Sequence, residues 1–225
     1  MKEELQSMED PNVYTLTELP AGAKCIGNRW VYKLKISPKK EVERFRARIV
    51  LKGYSQRKNI DYKELYALVC RFEVIRYILR IALRENLVSY QCDVKVAFLN
   101  SDIDVPLYMD QPEGFEENND LVCFLIRAIY GARQSPRCFY KRMKTILSNL
   151  GLKQSSTDPC VFFGNKAHRL ILALHVDDSV VVGKSEGVII SFLNELKHHL
   201  EMTYKPLEKF LGLQIERSER SLKTS

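Results

Sequence analysis

The sequence lacks the cysteine patterns that mark a zinc site. Its six cysteines include no CxxC pair, and its four histidines have no companion cysteines at ligand spacing. Most of the cysteines lie in apolar surroundings, where a reduced thiol behaves as a small hydrophobic side chain. These absences exclude a zinc-binding protein and predict reduced thiols.

Long apolar runs and a secretory leader are also missing. No apolar stretch approaches the ~18–20 residues needed to cross a bilayer, and the first residues, MKEELQSMEDP, are polar and acidic. No internal repeat or Gly/Ser/Pro-rich linker divides the chain. We therefore expect a soluble, cytoplasmic protein without a membrane partner, folded as one large domain or two subdomains.

Basic residues outnumber acidic ones. The chain has 35 Lys and Arg against 28 Asp and Glu, which gives a formal net charge of +7. A basic chain is typical of proteins with a polyanionic partner, although scattered surface lysines would produce the same balance.

The most informative motif is the pair Asp177 and Asp178, which lies between apolar residues 170–176 and 179–182. Two β-rich runs separated by two residues predict a tight hairpin with the aspartates at its apex. A solvated hairpin tip would also accommodate aspartates. Here the flanking runs are nearly uniformly apolar, and buried carboxylates resist ionisation unless a cation compensates them.

A third aspartate, Asp93, lies in a similar strand-like segment, SYQCDVKVAFLN. On its own it would be interpreted as an exposed strand residue. Three carboxylates that converge at strand ends, however, form an all-oxygen site suited to magnesium, the ion that couples protein carboxylates to substrate phosphates.

The periodicity of apolar residues predicts an α+β fold with the three aspartates on one antiparallel sheet. Basic residues alternate with apolar ones in a first hairpin, which puts them on one face (Lys33, Lys35, Arg44, Arg46, Arg48 and Lys52). Ser135 is predicted to cap a helix that begins at Pro136 and ends at Gly151. The other predicted elements are strands 30–36, 47–54, 122–126 and 210–216, a turn at 37–40, helices 73–84 and 185–200, and a loop at 102–114.

Seven strings, in order, resemble a known family. They are WVYKLK, ARIVLKGYSQ, DVKVAFLNSDIDVPLYMDQPEGF, IYGARQSPRCFYKRM, DPCVF, HVDDSVVVG and FLGLQIER. This order is similar to that of the reverse transcriptase of copia-type LTR retrotransposons, over about residues 14–217.

The resemblance implies the palm and fingers of a polymerase right hand, with the thumb absent or truncated. Fingers would be about 14–86 and part of 105–131, the palm would be the remainder, and residues 1–13 and 218–225 would be an extension and a tail. The implied function is RNA-directed DNA polymerisation within a polyprotein. Its partners would be an RNA or DNA template with primer, deoxynucleoside triphosphates and other polyprotein segments. The implied location is the cytoplasm, including virus-like particles, with the nucleus as an alternative.

The same resemblance implies roles for individual residues. Asp93 and Asp177 would bind two Mg²⁺ ions, for which Mn²⁺ could substitute, and Asp178 would support them as the third catalytic carboxylate. Phe98 would exclude a ribose 2′-hydroxyl, although it could equally be a core residue. Arg48, with Arg46 beside it, would contact the triphosphate, unless the basic face is simply solvated.

Further residues would contact the nucleotide and the primer. Gln134, Ser135 and Pro136 match a motif that borders the nascent base pair, but helix capping explains Ser135 and Pro136 equally well, so only Gln134 is assigned a binding role. His175, Phe210, Leu211 and Gly212 would contact the primer, and Lys205 would donate a proton to the leaving pyrophosphate.

Two residues depart from the family pattern, and one rival hypothesis remains. His175 replaces a tyrosine and Leu68 replaces a proline. The rival is a non-catalytic nucleic-acid-binding remnant, or a relic fragment of a retrotransposon polyprotein. The intact carboxylates favour the polymerase, whereas a missing thumb favours the remnant.

Overall fold

A computed structural model of the chain describes residues 8, 12–36, 41–64, 69–117, 120–210, 213–218 and 221–224. Within these ranges the protein is α+β, as predicted. The chain divides into two compact units. Unit 1 comprises residues 1–67 with 98–139, and unit 2 comprises residues 68–97 with 140–225.

The elements with described bounds are helices and short to medium strands. The helices are α1 (Phe72–Arg84), α2 (Ser135–Asn149) and α3 (Glu186–Lys197). The strands are β1 (Tyr14–Glu18), β2 (Cys25–Ile26), β3 (Asn28–Ile36), β4 (Val42–Leu51), β5 (Val88–Val94), β6 (Asp102–Met109), β7 (Leu121–Arg127), β8 (Lys153–Gln154), β9 (Val161–Phe163), β10 (Ile171–His175), β11 (Asp178–Gly183), β12 (Met202–Pro206), β13 (Lys209–Phe210), β14 (Leu213–Ser218) and β15 (Ser221–Thr224).

Unit 1 contains a four-stranded sheet in the order β1-β7-β6-β2 and a two-stranded sheet, β3-β4. The segment 102–114 was predicted to be a loop, but its first part forms β6. Its aspartates and Pro106 favoured a loop. In the structure, Leu107 and Met109 are buried at alternate positions and pair with β7, which makes the segment a strand. The ladder is irregular between Asp102 and Leu107, where Pro106 has no amide hydrogen to donate.

The hairpin β3-β4 has two chemically different faces. Lys33 lies directly opposite Arg46, and Val31 lies opposite Arg48, so basic side chains share one face as predicted. The other face pairs Leu34 with Phe45, and Phe45 is 78% exposed. The predicted turn at 37–40 and the side chains of Lys35 and Arg44 lie outside the described part of the chain.

Unit 2 is built on a six-stranded sheet in the order β12-β5-β11-β10-β9-β8. Helices α1 and α3 both contact its strand β11. Each helix buries an apolar stripe, as its periodicity predicted (Ile75, Ile78, Leu79 and Ala82 in α1; Ile189, Phe192, Leu193 and Leu196 in α3). Ser185 caps α3 by accepting a hydrogen bond from the amide of Val188 at 3.5 Å.

The start of α2 differs from the prediction that Ser135 caps it. Ser135 is already in the helix, and its hydroxyl donates to the carbonyl of Ile129 at 2.6 Å. The cap position falls to Gln134, whose carbonyl accepts the helical hydrogen bond from Cys138. After the helix, Gly151 adopts a φ of 81°, which is the left-handed stop that its position predicted.

None of the six cysteines, all of which lie within the described ranges, forms a disulfide, and five of them are buried. Burial raises the pKa of the Cys92 thiol to about 12, so this thiol stays protonated and inert at neutral pH. Across the described residues, we find no helix with the length and apolar character needed to span a membrane.

Candidate active site

The aspartate hairpin of unit 2 connects β10 to β11 through a two-residue turn. Its turn residues are Val176 and Asp177, and His175 pairs with Asp178 to close it. The prediction of a tight hairpin is confirmed, but its apex is shifted by one residue, since Asp178 belongs to the strand. Val176 has a φ of 56°, which the first position of such turns favours but which is strained for a β-branched residue.

The structure brings Asp93 and Asp178 together across two neighbouring strands. They are directly opposite in the antiparallel ladder of β5 and β11, so both side chains lie on one face of the sheet. The backbone of Asp177 is held at the same strand end, because the amide of Val94 donates to its carbonyl at 2.9 Å. Three aspartates are therefore fixed at one end of the sheet by backbone pairing.

The electrostatics of Asp178 reveal how these carboxylates interact. Burial raises the pKa of Asp178, and the negative charges of Asp177 and Asp93 raise it further, while His175 acts in the opposite direction. Asp177 and Asp178 are half-buried, and Asp93 is exposed. A cation placed among the three would relieve the repulsion that opposes ionisation of Asp178.

The donor set fits magnesium in chemistry but is not arranged as a finished ligand cage. Carboxylate oxygens are the ligands that Mg²⁺ prefers, and the ion is commonly held by one or two of them together with substrate phosphates. Across the described residues, no three His, Cys, Asp or Glu side chains form a group that could hold a metal. Binding would thus require the aspartate side chains to turn towards a shared ion.

His175 lies at the closing pair of the hairpin and is held by unit 2 itself. Its Nδ1 lies 3.0 Å from the carbonyl oxygen of Cys70. The centroid of its ring lies 6.1 Å from that of Phe72 and 6.4 Å from that of Phe210. The structure therefore brings together two of the residues predicted to contact a primer, whereas Leu211, Gly212 and the substituted Leu68 lie outside the described residues.

Lys205, the predicted proton donor, lies on β12 beside the aspartate strand. Asp93 pairs with Thr203, and Lys205 comes two residues later on the same face. Its side chain is exposed. Lys205 therefore places a cationic side chain on the same face of the sheet as Asp93, on the neighbouring strand β12 and two residues beyond the partner of Asp93.

The residues predicted to contact a nucleotide belong to unit 1. The guanidinium carbon of Arg48 lies 4.5 Å from the ring centroid of Tyr130. Phe98 approaches the same ring edge-on, with 4.8 Å between centroids. Arg46 is exposed on the basic face of the hairpin. Tyr130 therefore joins two predicted site residues, a role that the sequence reasoning missed although Tyr130 lies in the string IYGARQSP.

Gln134 is fully buried, and the protein itself satisfies its amide. Its Oε1 accepts a hydrogen bond from Nε2 of Gln56 at 2.9 Å, and its Nε2 donates to the carbonyl of Asp61 at 3.1 Å. Gln56 in turn accepts from the amide of Arg133 at 2.8 Å. The Gln134 side chain thus organises this loop without facing solvent, and its contact with a nucleotide stays a prediction.

Two glycines allow the end of β4 to lie against the segment before α2. Gly131 has a φ of 89°, and a Cβ there would come within 2.2 Å of the carbonyl oxygen of Leu51. A Cβ on Gly53 would lie 2.0 Å from the carbonyl oxygen of Gly131. The amide of Leu51 donates to the carbonyl of Tyr130 at 2.8 Å, so the backbones are bonded at this crossing.

Comparisons with known proteins agree on one family. Residues 11–225 match the family described as "Reverse transcriptase (RNA-dependent DNA polymerase)". The chain is 36% identical over 228 residues to the Retrovirus-related Pol polyprotein from transposon TNT 1-94 of Nicotiana tabacum, covering 99% of this chain and 17% of that protein. It is 32% and 30% identical over 210 residues to the corresponding polyproteins from transposons RE2 and RE1 of Arabidopsis thaliana, covering 92% of this chain and 14% of each protein. The chain therefore spans less than a fifth of the length of these relatives.

Proposed function

Because the chain belongs to the reverse transcriptase family of copia-type retrotransposon polyproteins, we propose that it carries the polymerase site of such a polyprotein. The reaction adds a deoxynucleotide to the 3′ end of a primer on an RNA or DNA template and releases pyrophosphate. The observation that carries this proposal is the pairing of Asp93 with Asp178, with Asp177 next to them in the turn.

In the proposed polymerase the palm lies mostly in unit 2, and the fingers, about residues 14–86 with part of 105–131, lie mostly in unit 1. The aspartate-bearing antiparallel sheet of unit 2, with its helices, supports the first assignment. The basic hairpin β3-β4 of unit 1 supports the second. Other segments of the polyprotein are the expected partners, and we place the reaction in the cytoplasm, including virus-like particles.

The three aspartates would hold the divalent cations, Mg²⁺ or Mn²⁺ as a substitute, with Asp93 and Asp177 as main ligands and Asp178 in support. When bound, two such ions lower the pKa of the primer hydroxyl and neutralise the triphosphate. The chain itself provides the fixed negative charge, because β5 and β11 set Asp93 against Asp178. The hydrogen bond from Val94 to Asp177 keeps the turn at that strand end.

The nucleotide would be bound by residues of unit 1. Arg48 and Arg46 offer planar, permanently charged donors that suit phosphate oxygens. Lys33 faces Arg46 directly across the hairpin, and such a like-charged pair is destabilising until an anion neutralises it. Phe98 would select deoxyribose by excluding a 2′-hydroxyl. Gln134 would shape the nucleotide site indirectly, through its hydrogen bonds to Gln56 and to the carbonyl of Asp61.

The primer would be positioned by His175 and by the antiparallel pair β13-β14, in which Phe210 lies opposite Leu213. Phe210 is buried with its ring against His175, so this segment would offer its backbone to the primer in a surface shared with His175. Leu211 and Gly212 would extend that surface. Lys205, exposed on the face of Asp93, would donate a proton to the leaving pyrophosphate.

Primer extension on poly(rA)/oligo(dT) with Mg²⁺ or Mn²⁺ tests this proposal. We expect metal-dependent incorporation by the wild-type chain and none by the Asp177→Asn variant. Asp102→Asn is the matched control, because Asp102 is an exposed carboxylate that pairs with Arg127 in unit 1. A folded wild-type chain that binds primer-template but incorporates nothing with either ion would favour the non-catalytic remnant.

A further inference from the structure

We propose that Tyr130 is a positioning residue that couples the arginine assigned to the triphosphate with the phenylalanine assigned to the sugar. The inference rests on the proposed function, because the roles of Arg48 and Phe98 come from it. The contacts themselves are all within unit 1. Tyr130 would contact no substrate atom and would act only through these two neighbours.

The first contact orients Arg48. Its guanidinium carbon lies 4.5 Å from the centroid of the Tyr130 ring, within the range of a cation–π interaction. A free arginine side chain samples many rotamers, and a ring that stacks on the guanidinium reduces this freedom. Arg48 is half-buried on β4, and the contact with the Tyr130 ring would hold its guanidinium in place before any phosphate binds.

The second contact orients Phe98. The two ring centroids are 4.8 Å apart in an edge-on arrangement, which aromatic pairs prefer. Phe139 also approaches Phe98 edge-on, with 6.4 Å between centroids. The backbone at Phe98 is also fixed, because Ser101 donates its hydroxyl hydrogen bond to the Phe98 carbonyl at 2.8 Å.

The backbone of Tyr130 cannot shift independently of the hairpin. Its carbonyl accepts a hydrogen bond from Leu51, three residues after Arg48 on the same strand. The next residue, Gly131, lies so close to Leu51 that a Cβ would come within 2.2 Å of its carbonyl oxygen. One ring, fixed to β4 through its own backbone, therefore sets the positions of both side chains.

The coupling predicts a joint effect of removing the ring. Tyr130→Leu should raise the KM for deoxynucleotides roughly 3–10-fold, with kcat within about twofold, because a cation–π contact contributes a modest energy. The same variant should incorporate ribonucleotides several-fold more readily relative to deoxynucleotides. Tyr130→Phe keeps the ring and should behave as the wild type. In the double variant Arg48→Ala/Tyr130→Leu, the rise in KM should be smaller than the product of the single effects.

Tyr108→Leu is the matched control for these measurements. Tyr108 is another half-buried tyrosine of unit 1, with one ring neighbour, Phe124, at 5.3 Å. The Tyr108→Leu variant should leave the KM for deoxynucleotides and the selectivity for deoxyribose unchanged. The proposal is overturned if Tyr130→Leu changes KM without changing selectivity, if it lowers only kcat, or if Tyr130→Phe is as impaired as Tyr130→Leu.

An NMR experiment separates this inference from the proposed function. The ring current of Tyr130 should shift the Nε–Hε resonance of Arg48, and that shift should disappear in Tyr130→Leu but persist in Tyr130→Phe. Titration with dTTP should give a Kd for Tyr130→Leu raised by the same factor as KM. These readouts need no turnover, so a wild-type chain without polymerase activity would overturn the proposed function alone. An unchanged Arg48 resonance and dTTP affinity in Tyr130→Leu would overturn the coupling.

Discussion

Among the described side chains, like charges face each other across neighbouring strands in both units. Asp93 lies opposite Asp178 in unit 2, and Lys33 lies opposite Arg46 in unit 1. Directly opposed like charges destabilise a sheet, so each pair costs folding stability unless a ligand of the other sign is present. The signs match the proposed ligands, because a cation would relieve the acidic pair and a polyphosphate the basic pair.

The acidic pair gives a prediction about metal removal. In EDTA, Asp93→Asn should raise the free energy of unfolding by about 0.2–1 kcal/mol, because it removes the repulsion with Asp178. Millimolar Mg²⁺ should stabilise the wild type more than the variant, since a ligand stabilises only the state that binds it. Urea denaturation with and without Mg²⁺ measures both effects, and Asp102→Asn is the control. Equal stabilisation of wild type and Asp93→Asn by Mg²⁺ would argue against this metal site.

A second residue-scale prediction concerns Asp61, which is 7% exposed. Burial raises the pKa of Asp61, but hydrogen bonds from the side chain and backbone of Arg57 outweigh it, so the pKa lies below its usual value. A lowered pKa means that this stabilisation is present above the unfolded-state pKa of about 3.9 and is lost as the pH falls through the folded-state value.

Asp61→Asn should therefore lower the free energy of unfolding at pH 7 by about 1.5–3 kcal/mol, the range for a hydrogen bond to a charged group. The gap to the wild type should shrink when urea denaturation is repeated near pH 3. Asp102→Asn, which breaks a more exposed ion pair, should change stability by about 0–1 kcal/mol at pH 7. A gap for Asp61→Asn that stays constant with pH would show that its charge does not matter.

At the scale of elements, the hairpin β10-β11 combines a regular ladder with one strained residue. The turn needs a positive φ at its first position, and Val176 supplies it at 56°. A left-handed backbone conformation at a β-branched residue lowers the free energy of unfolding by roughly 1–2 kcal/mol. The five residue pairs of the ladder, from Ile171 with Val182 to His175 with Asp178, hold the turn in place.

Val176→Gly should therefore raise the free energy of unfolding by about 0.5–1 kcal/mol, because relief of strain outweighs the entropy that glycine adds to the unfolded chain. The register of the hairpin should persist, which cross-strand NOEs between His175 and Asp178 would report. Val181→Gly is the control within the same hairpin: it lies in the strand and should destabilise. A loss of stability in Val176→Gly would mean that the valine side chain contributes more by packing than its backbone costs.

The same hairpin illustrates how far sequence reasoning reaches. Apolar runs predicted helices α1, α2 and α3 and strands β3, β4, β5, β7, β10 and β11, because burial of one face imposes the periodicity. The single strand predicted at 210–216 is wrong, since β13 and β14 are two strands that pair antiparallel with each other. The turn was misplaced by one residue, since valine is rarely expected at a positive φ. Strand β6 was missed because its aspartates and Pro106 resemble a loop, and only pairing with β7 makes it a strand.

Among the candidate site residues too, local patterns could be predicted from the sequence, whereas contacts between distant residues could not. The aspartates could be predicted from their apolar flanks, and the strand pairing put Asp93 against Asp178. The contacts of Tyr130 with Arg48 and Phe98 join residues far apart in the chain, and no local pattern encodes them. The burial of Gln134 could not be predicted either, because it depends on a partner amide, Gln56, that lies 78 positions away.

At the scale of the whole molecule, the net charge of +7 and the basic hairpin favour binding to a polyanion. Phosphate contacts release counterions, so the affinity for nucleic acid falls with salt by a slope of about 0.7 per phosphate neutralised on single strands and about 0.9 on B-form DNA. The salt dependence of binding therefore counts the cations that touch the backbone, independently of catalysis.

We expect primer-template binding by this chain to be strongly salt-sensitive, because the net charge of +7 and the basic hairpin β3-β4 favour contacts with phosphates. Lys33→Gln and Arg46→Gln should each reduce the salt slope by roughly 0.7–0.9 if they contact phosphates. Lys166→Gln is the control, since this exposed lysine lies in the β9-β10 connection, at the end of β10 away from the aspartates.

Asp177→Asn should abolish incorporation while leaving the slope unchanged, because it removes a carboxylate and no phosphate-binding cation. Fluorescence anisotropy across 50–300 mM salt measures these slopes. An unchanged slope in both hairpin variants would remove the hairpin from the nucleic-acid interface.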